Sequence, residues 1–226
     1  MNLDKIEINI SDEEVYRPSD DSYLLINYFK NQITEQYFDL ISHEQIDKIL
    51  DLGTGSGIIA IFLALLKKKL HNFSPQIYAS DISKTALQDA KENAKHNKVA
   101  DKIHFIQSDL FQGFPDNLKH SFDVIIFNPP YLPSLNNVNP KEPKFVKQDK
   151  IWDGGLEGIE LTIKFLELAR SYLSYKKKSL LYFISSSRAD LDQLEISITK
   201  LGYMNEVVQK EHIFFEDILL NRIIIE

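Results

Sequence analysis

The sequence predicts an α/β fold: a doubly wound, mostly parallel sheet of seven strands with a C-terminal antiparallel strand pair. Three observations predict it. Short apolar runs alternate with helical patterns through most of the 226 residues, the order of strands joined by crossover helices. Lys48-Ile49-Leu50-Asp51-Leu52 leads into Gly53-Thr54-Gly55-Ser56-Gly57 and then into the apolar run Ile58–Leu66. Buried strand, glycine turn and helix in that order open a Rossmann-like βαβ unit, in which the glycines let a ligand approach the backbone and the helix start offers free N–H groups. Finally, Asp81 and Asp109 each close a later apolar run, at the strand ends where open α/β sheets bind ligands. Residues 1–226 read as a single domain, with 1–14 as an N-terminal arm.

The elements follow in order. Ile6-Glu7-Ile8-Asn9-Ile10 alternates as a short strand or an arm over the domain. Ser19 or Asp20 is expected to cap a helix starting near Ser22 and running through Phe29, which leaves Asp20, Asp21 and Ser22 a capping role unless context adds another. Lys48–Leu52 is the first core strand and Gln76–Asp81 the second. Lys84–Asn97 is a helix with Ala86, Leu87, Ala90 and Ala94 on one face. Lys102–Leu110 is the third strand. Phe122–Phe127 is the most apolar strand, expected at the centre, and it carries Asn128-Pro129-Pro130-Tyr131 to the carboxyl edge. Residues 132–150, rich in Pro, Asn and Lys, read as a substrate-side loop or lid. Lys141, Lys144, Lys147 and Lys150 make that loop locally basic, or simply solvate it. A second glycine cluster, Trp152–Gly158, precedes a helix over Glu160–Leu173. The strand Ser179–Ser185, a helix over Leu191–Leu201 stopped by Gly202, and the pair Tyr203–Gln209 and Ile218–Glu226 complete the chain.

The glycine turn alone also fits a dinucleotide fingerprint, as Gly55-x-Gly57-x-x-Ala60. Two features shift the reading to S-adenosylmethionine. Asp51, two residues before Gly53, suits an ammonium group and suits a pyrophosphate poorly. Asn128-Pro129-Pro130-Tyr131 has no use in a dehydrogenase and suits methyl transfer to a planar nitrogen. Such a nitrogen is a poor nucleophile because its lone pair is delocalised. Fixed acceptors on its N–H groups favour the charge that develops as it pyramidalises; the Asn128 side-chain oxygen and the Pro129 carbonyl would supply two. Pro129 and Pro130 stiffen the loop that holds them, and Tyr131 would pack over the planar group. Asp81 is placed to bind both hydroxyls of a ribose, since Ser83 can cap the following helix. Asp109 would accept the adenine amino group beside the Leu110 backbone, or else cap a turn. No Asp/Glu pair or His is demanded as a general base. The other reading of residues 128–131 is an ordinary proline-rich turn.

Composition excludes some classes. There is no cysteine, hence no disulfide and no thiolate metal site, and the six histidines show no ligand spacing, so no metal is expected. The polar start Met1-Asn2-Leu3-Asp4-Lys5 lacks a signal-peptide apolar region. The longest apolar run, Ile58–Leu66, is too short to span a bilayer. A cytoplasmic protein without a membrane partner is expected. A net charge of −7 argues against gripping long nucleic acid by its phosphates, without excluding a local basic patch.

The glycine motif, Asp81, Asp109 and Asn128–Tyr131, in this order, resemble class I S-adenosylmethionine-dependent methyltransferases acting on amino nitrogens. Tyr16-Arg17-Pro18-Ser19-Asp20-Asp21-Ser22-Tyr23-Leu24-Leu25 and Trp152-x-Gly154-Gly155-x-x-Gly158-x-Glu160 are similar to segments of the short HemK-like proteins, the eukaryotic and archaeal glutamine methyltransferases of release factors. The resemblance covers residues 15 to about 185. It implies methylation of the glutamine in a Gly-Gly-Gln loop, with S-adenosyl-L-homocysteine as product. It further implies cofactor contacts from Ser22, Asp51, Gly53, Gly55, Gly57, Asp81, Asp109, Leu110 and Asn128, an amide held by Asn128 and Pro129, and a small zinc-ribbon activator covering an edge strand. Ser22 stands where threonine is more usual and Asp51 where glutamate is common, so hydroxyl and charge are kept. The N-terminal helical substrate domain of bacterial HemK-type enzymes is not expected, since these 226 residues leave no room for one. The alternative is methylation of adenine or guanine amines in tRNA, rRNA or DNA, since these too are planar NH₂ groups; a non-catalytic scaffold or an NAD-binding protein is the third reading.

Overall fold

The computed structural model describes residues 5–134, 153–175 and 177–225. The arm, residues 7–11, forms no strand. It lies along a helix and is held by a ladder of side chains one turn apart: Asp89, Asn93 and Asn97 accept from the backbone N–H groups of Ser11, Asn9 and Glu7 at 2.9, 2.8 and 3.1 Å. Helix α1 spans Asp20–Gln32, two residues earlier than expected, and Ser19 sits at its cap position without a side-chain cap bond. A small antiparallel pair, β1 (Tyr37–Phe38) and β2 (Ile41–Ser42), follows; its two-residue strands carry too little pattern to be read from sequence.

The main sheet is built from β3 (Lys48–Leu52), β4 (Gln76–Asp81), β5 (Ile103–Gln107), β6 (Val124–Phe127), β7 (Ser179–Ser186), β8 (Asn205–Ile213) and β9 (Glu216–Ile225). Helices α2 (Ile58–Lys69), α3 (Lys84–His96), α4 (Glu160–Ala169) and α5 (Leu191–Lys200) connect them. The strand order is β5-β4-β3-β6-β7-β9-β8. The first five pair in parallel, and β9 runs antiparallel to both β7 and β8. The seven-stranded, mostly parallel sheet with its antiparallel end is as the sequence predicted, and β6 is the central strand. The helix expected over Glu160–Leu173 is shorter and ends at Ala169.

Alternation of side chains along the strands divides the core. Ile49, Val124, Ile126, Leu180, Tyr182 and Ile184 join a cluster with α1 and α2. Leu50, Ile125, Phe127, Leu181 and Phe183 join a second cluster with α4 and α5. Burial on both faces explains why β6 and β7 read as continuous apolar runs. Winding runs outward from β3 through β4 to β5, then returns to β6 on the other side of β3. The crevice between β3 and β6 is therefore the topological switch point, with Leu52 opposite Phe127. Asp123, fully buried, fixes the far end of the same two strands by accepting from the N–H groups of Asp47 and Lys48 at 2.6 and 3.0 Å.

A polar hub pins α1 and the β1–β2 turn to the sheet. Asp39 Oδ2 accepts from Tyr28 Oη at 2.7 Å, Tyr182 Oη at 2.6 Å and Arg222 Nη1 at 2.7 Å. Burial, and then the nearby carboxylate, push both tyrosine hydroxyls above their ordinary range. Asp39→Ala leaves both hydroxyls and Arg222 short of an acceptor and is expected to destabilise the fold by about 3–5 kcal/mol. The check is the urea midpoint at unchanged slope; a midpoint like that of the parent protein would show the hub to be dispensable.

Candidate active site

The glycine turn lies between β3 and α2, and all three of its glycines have positive φ: +65° at Gly53, +53° at Gly55 and +87° at Gly57. Two of them also face a close neighbour. A Cβ at Gly53 would stand 2.9 Å from the Phe127 ring, and one at Gly57 2.9 Å from the Ala90 Cβ. Glycine is needed there both for the left-handed backbone and for the approach of β6 and α3. The turn is tied across the sheet, where Thr54 N–H donates to the Ser80 carbonyl at 2.8 Å and Gly55 N–H to Asp81 Oδ2 at 2.9 Å.

Above the turn is a cavity of about 560 Å³. It brings together every residue assigned to cofactor or amide from the sequence except Gly57, which is turned into the α2–α3 contact. Its lining carries six carboxylates, Glu14, Asp21, Asp51, Asp81, Asp109 and Asp153, and among the described residues no Lys, Arg or His. Such a wall attracts a cation and repels phosphate.

Asp51 is 3% exposed. Its Oδ2 accepts from Thr54 Oγ1 at 2.6 Å and from Ala60 N–H, at the start of α2, at 3.0 Å. Burial raises its pKa to about 7 in spite of these two bonds. Asp81 is also raised, again by burial first. Its Oδ1 accepts from Ser83 N–H at 2.8 Å, while Ser83 Oγ caps α3 by accepting from Ala86 N–H at 3.2 Å. Capping thus falls to Ser83, and Asp81 braces the glycine turn. Asp109 is half-exposed and accepts from Gln112 Nε2 at 3.1 Å. Leu110 follows it at φ +47°, a left-handed conformation costly for a branched apolar residue.

Asn128 stands at the end of β6, with Pro129, Pro130 and Tyr131 after it along the cavity wall. The Asn128 Oδ1 atom is buried and has no hydrogen-bond partner among the described residues. A buried unpaired amide oxygen is expensive, and this one belongs to a residue that lines the cavity. The Tyr131 ring is buried, and its hydroxyl donates to Asp21 Oδ2 at 3.0 Å. Tyr16 Oη donates to Asp21 Oδ1 at 2.6 Å. Burial and the Asp21 charge push both hydroxyls far above their ordinary range, so they remain donors. Asp21, only 2% exposed, therefore couples the segment before α1 to the Asn-Pro-Pro-Tyr loop. From its residue type Asp21 reads as a capping acid unless context adds another role, and the signal for that other role is its place in the Tyr16–Leu25 segment. Ile82, 65% exposed beside Asp81 on the cavity wall, also escaped notice, because a single apolar residue after a strand carries no pattern.

The second glycine cluster packs against this loop. Gly154 N–H donates to the Leu132 carbonyl at 2.8 Å, and a Cβ at Gly158 would stand 2.7 Å from the Tyr131 carbonyl oxygen. Trp152 and the lysines of the 132–150 loop lie outside the described residues. Among the described residues no group of three His, Cys, Asp or Glu is placed to hold a metal ion, and no helix is long and apolar enough to cross a membrane.

A sheet wound in this order, with an acid-lined crevice at its switch point and Asn-Pro-Pro-Tyr on the rim, defines a methyltransferase of class I architecture. A family model described as "Methyltransferase domain" matches residues 43–208. A protein of Methanocaldococcus jannaschii, named provisionally as a protein N5-glutamine methyltransferase, is 32% identical over 207 residues, covering 92% of this chain and 90% of that protein. The chain belongs to the HemK-like methyltransferase family. The release factor glutamine methyltransferase of Bacillus anthracis is 32% identical over 177 residues, which are 76% of this chain and 56% of that enzyme; the chain thus spans little more than half the length of that bacterial relative. Among solved structures, the E. cuniculi Mtq2–Trm112 complex, described as responsible for methylating the eRF1 termination factor, superposes with a TM-score of 0.62 at 19% identity, covering 94% of this chain and 99% of that one. At that identity the match speaks for the fold.

Proposed function

We propose that the chain transfers a methyl group from S-adenosylmethionine to the side-chain amide of a glutamine in the Gly-Gly-Gln loop of a translation release factor. The observation that carries this reading is the Asn128 Oδ1, buried and without a partner among the described residues, beside the acid-lined cavity. The names of the archaeal and bacterial relatives support the substrate.

The cavity fits the cofactor. Its carboxylates suit a ligand bearing an ammonium and a sulfonium and disfavour a dinucleotide pyrophosphate. Asp51 would take the ammonium, Asp81 the ribose hydroxyls and Asp109 the adenine amine, with Ile82 and Leu110 as apolar walls for the ring. When bound, S-adenosylmethionine supplies an electrophilic methyl that needs no further activation. The protein's part is to orient the amide and exclude water. Asn128 Oδ1 and the Pro129 carbonyl accept the two amide N–H bonds, which localises the lone pair on nitrogen and points it at the methyl; the methylated nitrogen then releases one of these protons to solvent. The Asp21 bonds to Tyr16 and Tyr131 keep this loop in place without reorganisation during reaction. We also assign it a small zinc-ribbon activator that covers an edge strand of the sheet.

Methyl transfer from labelled S-adenosylmethionine, with and without such an activator, is the test. Label is expected on a release factor with an intact Gly-Gly-Gln loop and not on its Gln→Ala variant. Label on tRNA alone would overturn the glutamine reading in favour of a nucleobase amine.

A further inference from the structure

The hairpin joining β8 to β9 ends in two phenylalanines that stand in solvent. Phe214 is 86% exposed and Phe215 97%. Phe214 also sits at φ +53°, a backbone that Gly or Asn adopts readily and a bulky side chain does not. Folding alone favours a small or polar residue at this turn. An exposed aromatic pair on a strained backbone points to a use outside the fold.

The tip is held firmly and in a telling place. Ser186 Oγ donates to Glu216 Oε2 at 2.5 Å, Asp217 N–H donates to Ser187 Oγ at 2.8 Å, and Ser187 N–H donates to the Asp217 carbonyl at 2.9 Å. Ser186 is the last residue of β7 and pairs with Ile218. The tip therefore projects from the carboxyl edge of the sheet, the edge at which β6 delivers Asn128. Glu216 is near enough for its charge to act on the Tyr131 hydroxyl. The chain after β7 also meets the second glycine cluster, with Asp190 N–H donating to the Glu157 carbonyl at 3.0 Å and Ala189 lying beside Gly158.

Charge selects the occupant. Lys210 pairs with Asp217 at 2.6 Å, and Arg222 pairs with Asp39 and Glu206 at 2.7 and 2.6 Å. The cations of β8 and β9 are thus engaged, while Glu211 and Glu216 add further negative charge. A nucleic acid backbone needs free cations. Two phenylalanines on a firm hairpin suit an apolar depression on a folded protein.

We propose that Phe214 and Phe215 dock the protein substrate, gripping an apolar patch on it so that its glutamine loop reaches Asn128. The proposal rests on the reading of a protein substrate. The test compares the parent protein with the Phe214→Asn/Phe215→Ser double variant on an intact release factor and on a short peptide holding only the Gly-Gly-Gln loop. For the factor, KM is expected to rise at least about tenfold with kcat retained. For the peptide, the two proteins should behave alike. Affinity for S-adenosylhomocysteine should be unchanged, and the melting temperature unchanged or higher, because Asn relieves the left-handed strain. An unaltered KM for the factor, or an equal loss on the peptide, overturns the docking role alone. A drop in cofactor affinity or stability would show the tip to be structural and would also overturn it. If the parent protein leaves the factor unlabelled, the substrate reading falls and takes this proposal with it.

Discussion

Asn128→Ala is expected to reduce methyl transfer by on the order of 10²–10³-fold or more, the scale seen when one preorganised polar group is removed from a developing charge, while the protein still binds S-adenosylhomocysteine. The argument rests on one atom. Asn128 Oδ1 is buried without a partner among the described residues, so the fold bears a desolvation cost there that the N–H of the proposed amide would relieve. Removing it stabilises the ligand-free protein or leaves it unchanged, and deprives the substrate amide of an acceptor. Asp81→Ala should behave in the opposite way. Asp81 braces the glycine turn through Gly55 and Ser83, so its loss should weaken cofactor binding more than Asn128→Ala does. Calorimetric titration of both variants, beside single-turnover methyl transfer, separates the two. Full turnover by Asn128→Ala would remove the amide clamp from the mechanism.

How far the molecule was legible follows from where each signal lives. The parallel sheet was legible because β3, β6 and β7 are buried on both faces and leave unbroken apolar runs. The crevice was legible because its turn demands left-handed glycines at Gly53, Gly55 and Gly57, and few other patterns demand them. What stayed hidden depends on contacts between residues far apart in sequence. Asp21 reads as a helix-start acid; only the fold brings Tyr131, 110 residues away, to its carboxylate. Asp39 reads as a turn residue, yet it gathers Tyr28, Tyr182 and Arg222 from three elements. Residues 6–10 read equally as a short strand or as an arm over the domain, because the partners that hold the arm, Asp89, Asn93 and Asn97, look like the solvent face of α3. Phe214 and Phe215 went unnoticed because an aromatic pair between two strand patterns reads as core.

Asp51 should make cofactor affinity depend on pH near neutrality. Its pKa in the ligand-free protein is about 7, yet the proposed ammonium contact needs the carboxylate. Affinity for S-adenosylhomocysteine, which keeps its ammonium throughout this range, is therefore expected to weaken as pH falls from about 8 to 6, approaching tenfold per unit below the midpoint. The sign for folding is the reverse. A carboxyl raised above its unfolded value contributes stability that is fully present below about pH 4 and lost as pH rises through about 7. At pH 8 the ligand-free protein thus carries a buried charge costing on the order of 2–4 kcal/mol. Asp51→Asn removes it. At pH 8 that variant should gain thermal stability relative to its parent and lose cofactor affinity by roughly 30-fold or more, the usual effect of removing one member of a buried charge pair. At pH 5 the stability difference should shrink. Asp81, also raised by burial, titrates in the same direction, so the diagnostic quantity is the slope of log Kd against pH between 6 and 8 in the two proteins. A slope retained in Asp51→Asn would transfer the ammonium site to another carboxylate of the cavity. A flat profile in the parent protein would mean that Asp51 is already ionised before the ligand arrives, and that the bonds from Thr54 and Ala60 outweigh its burial.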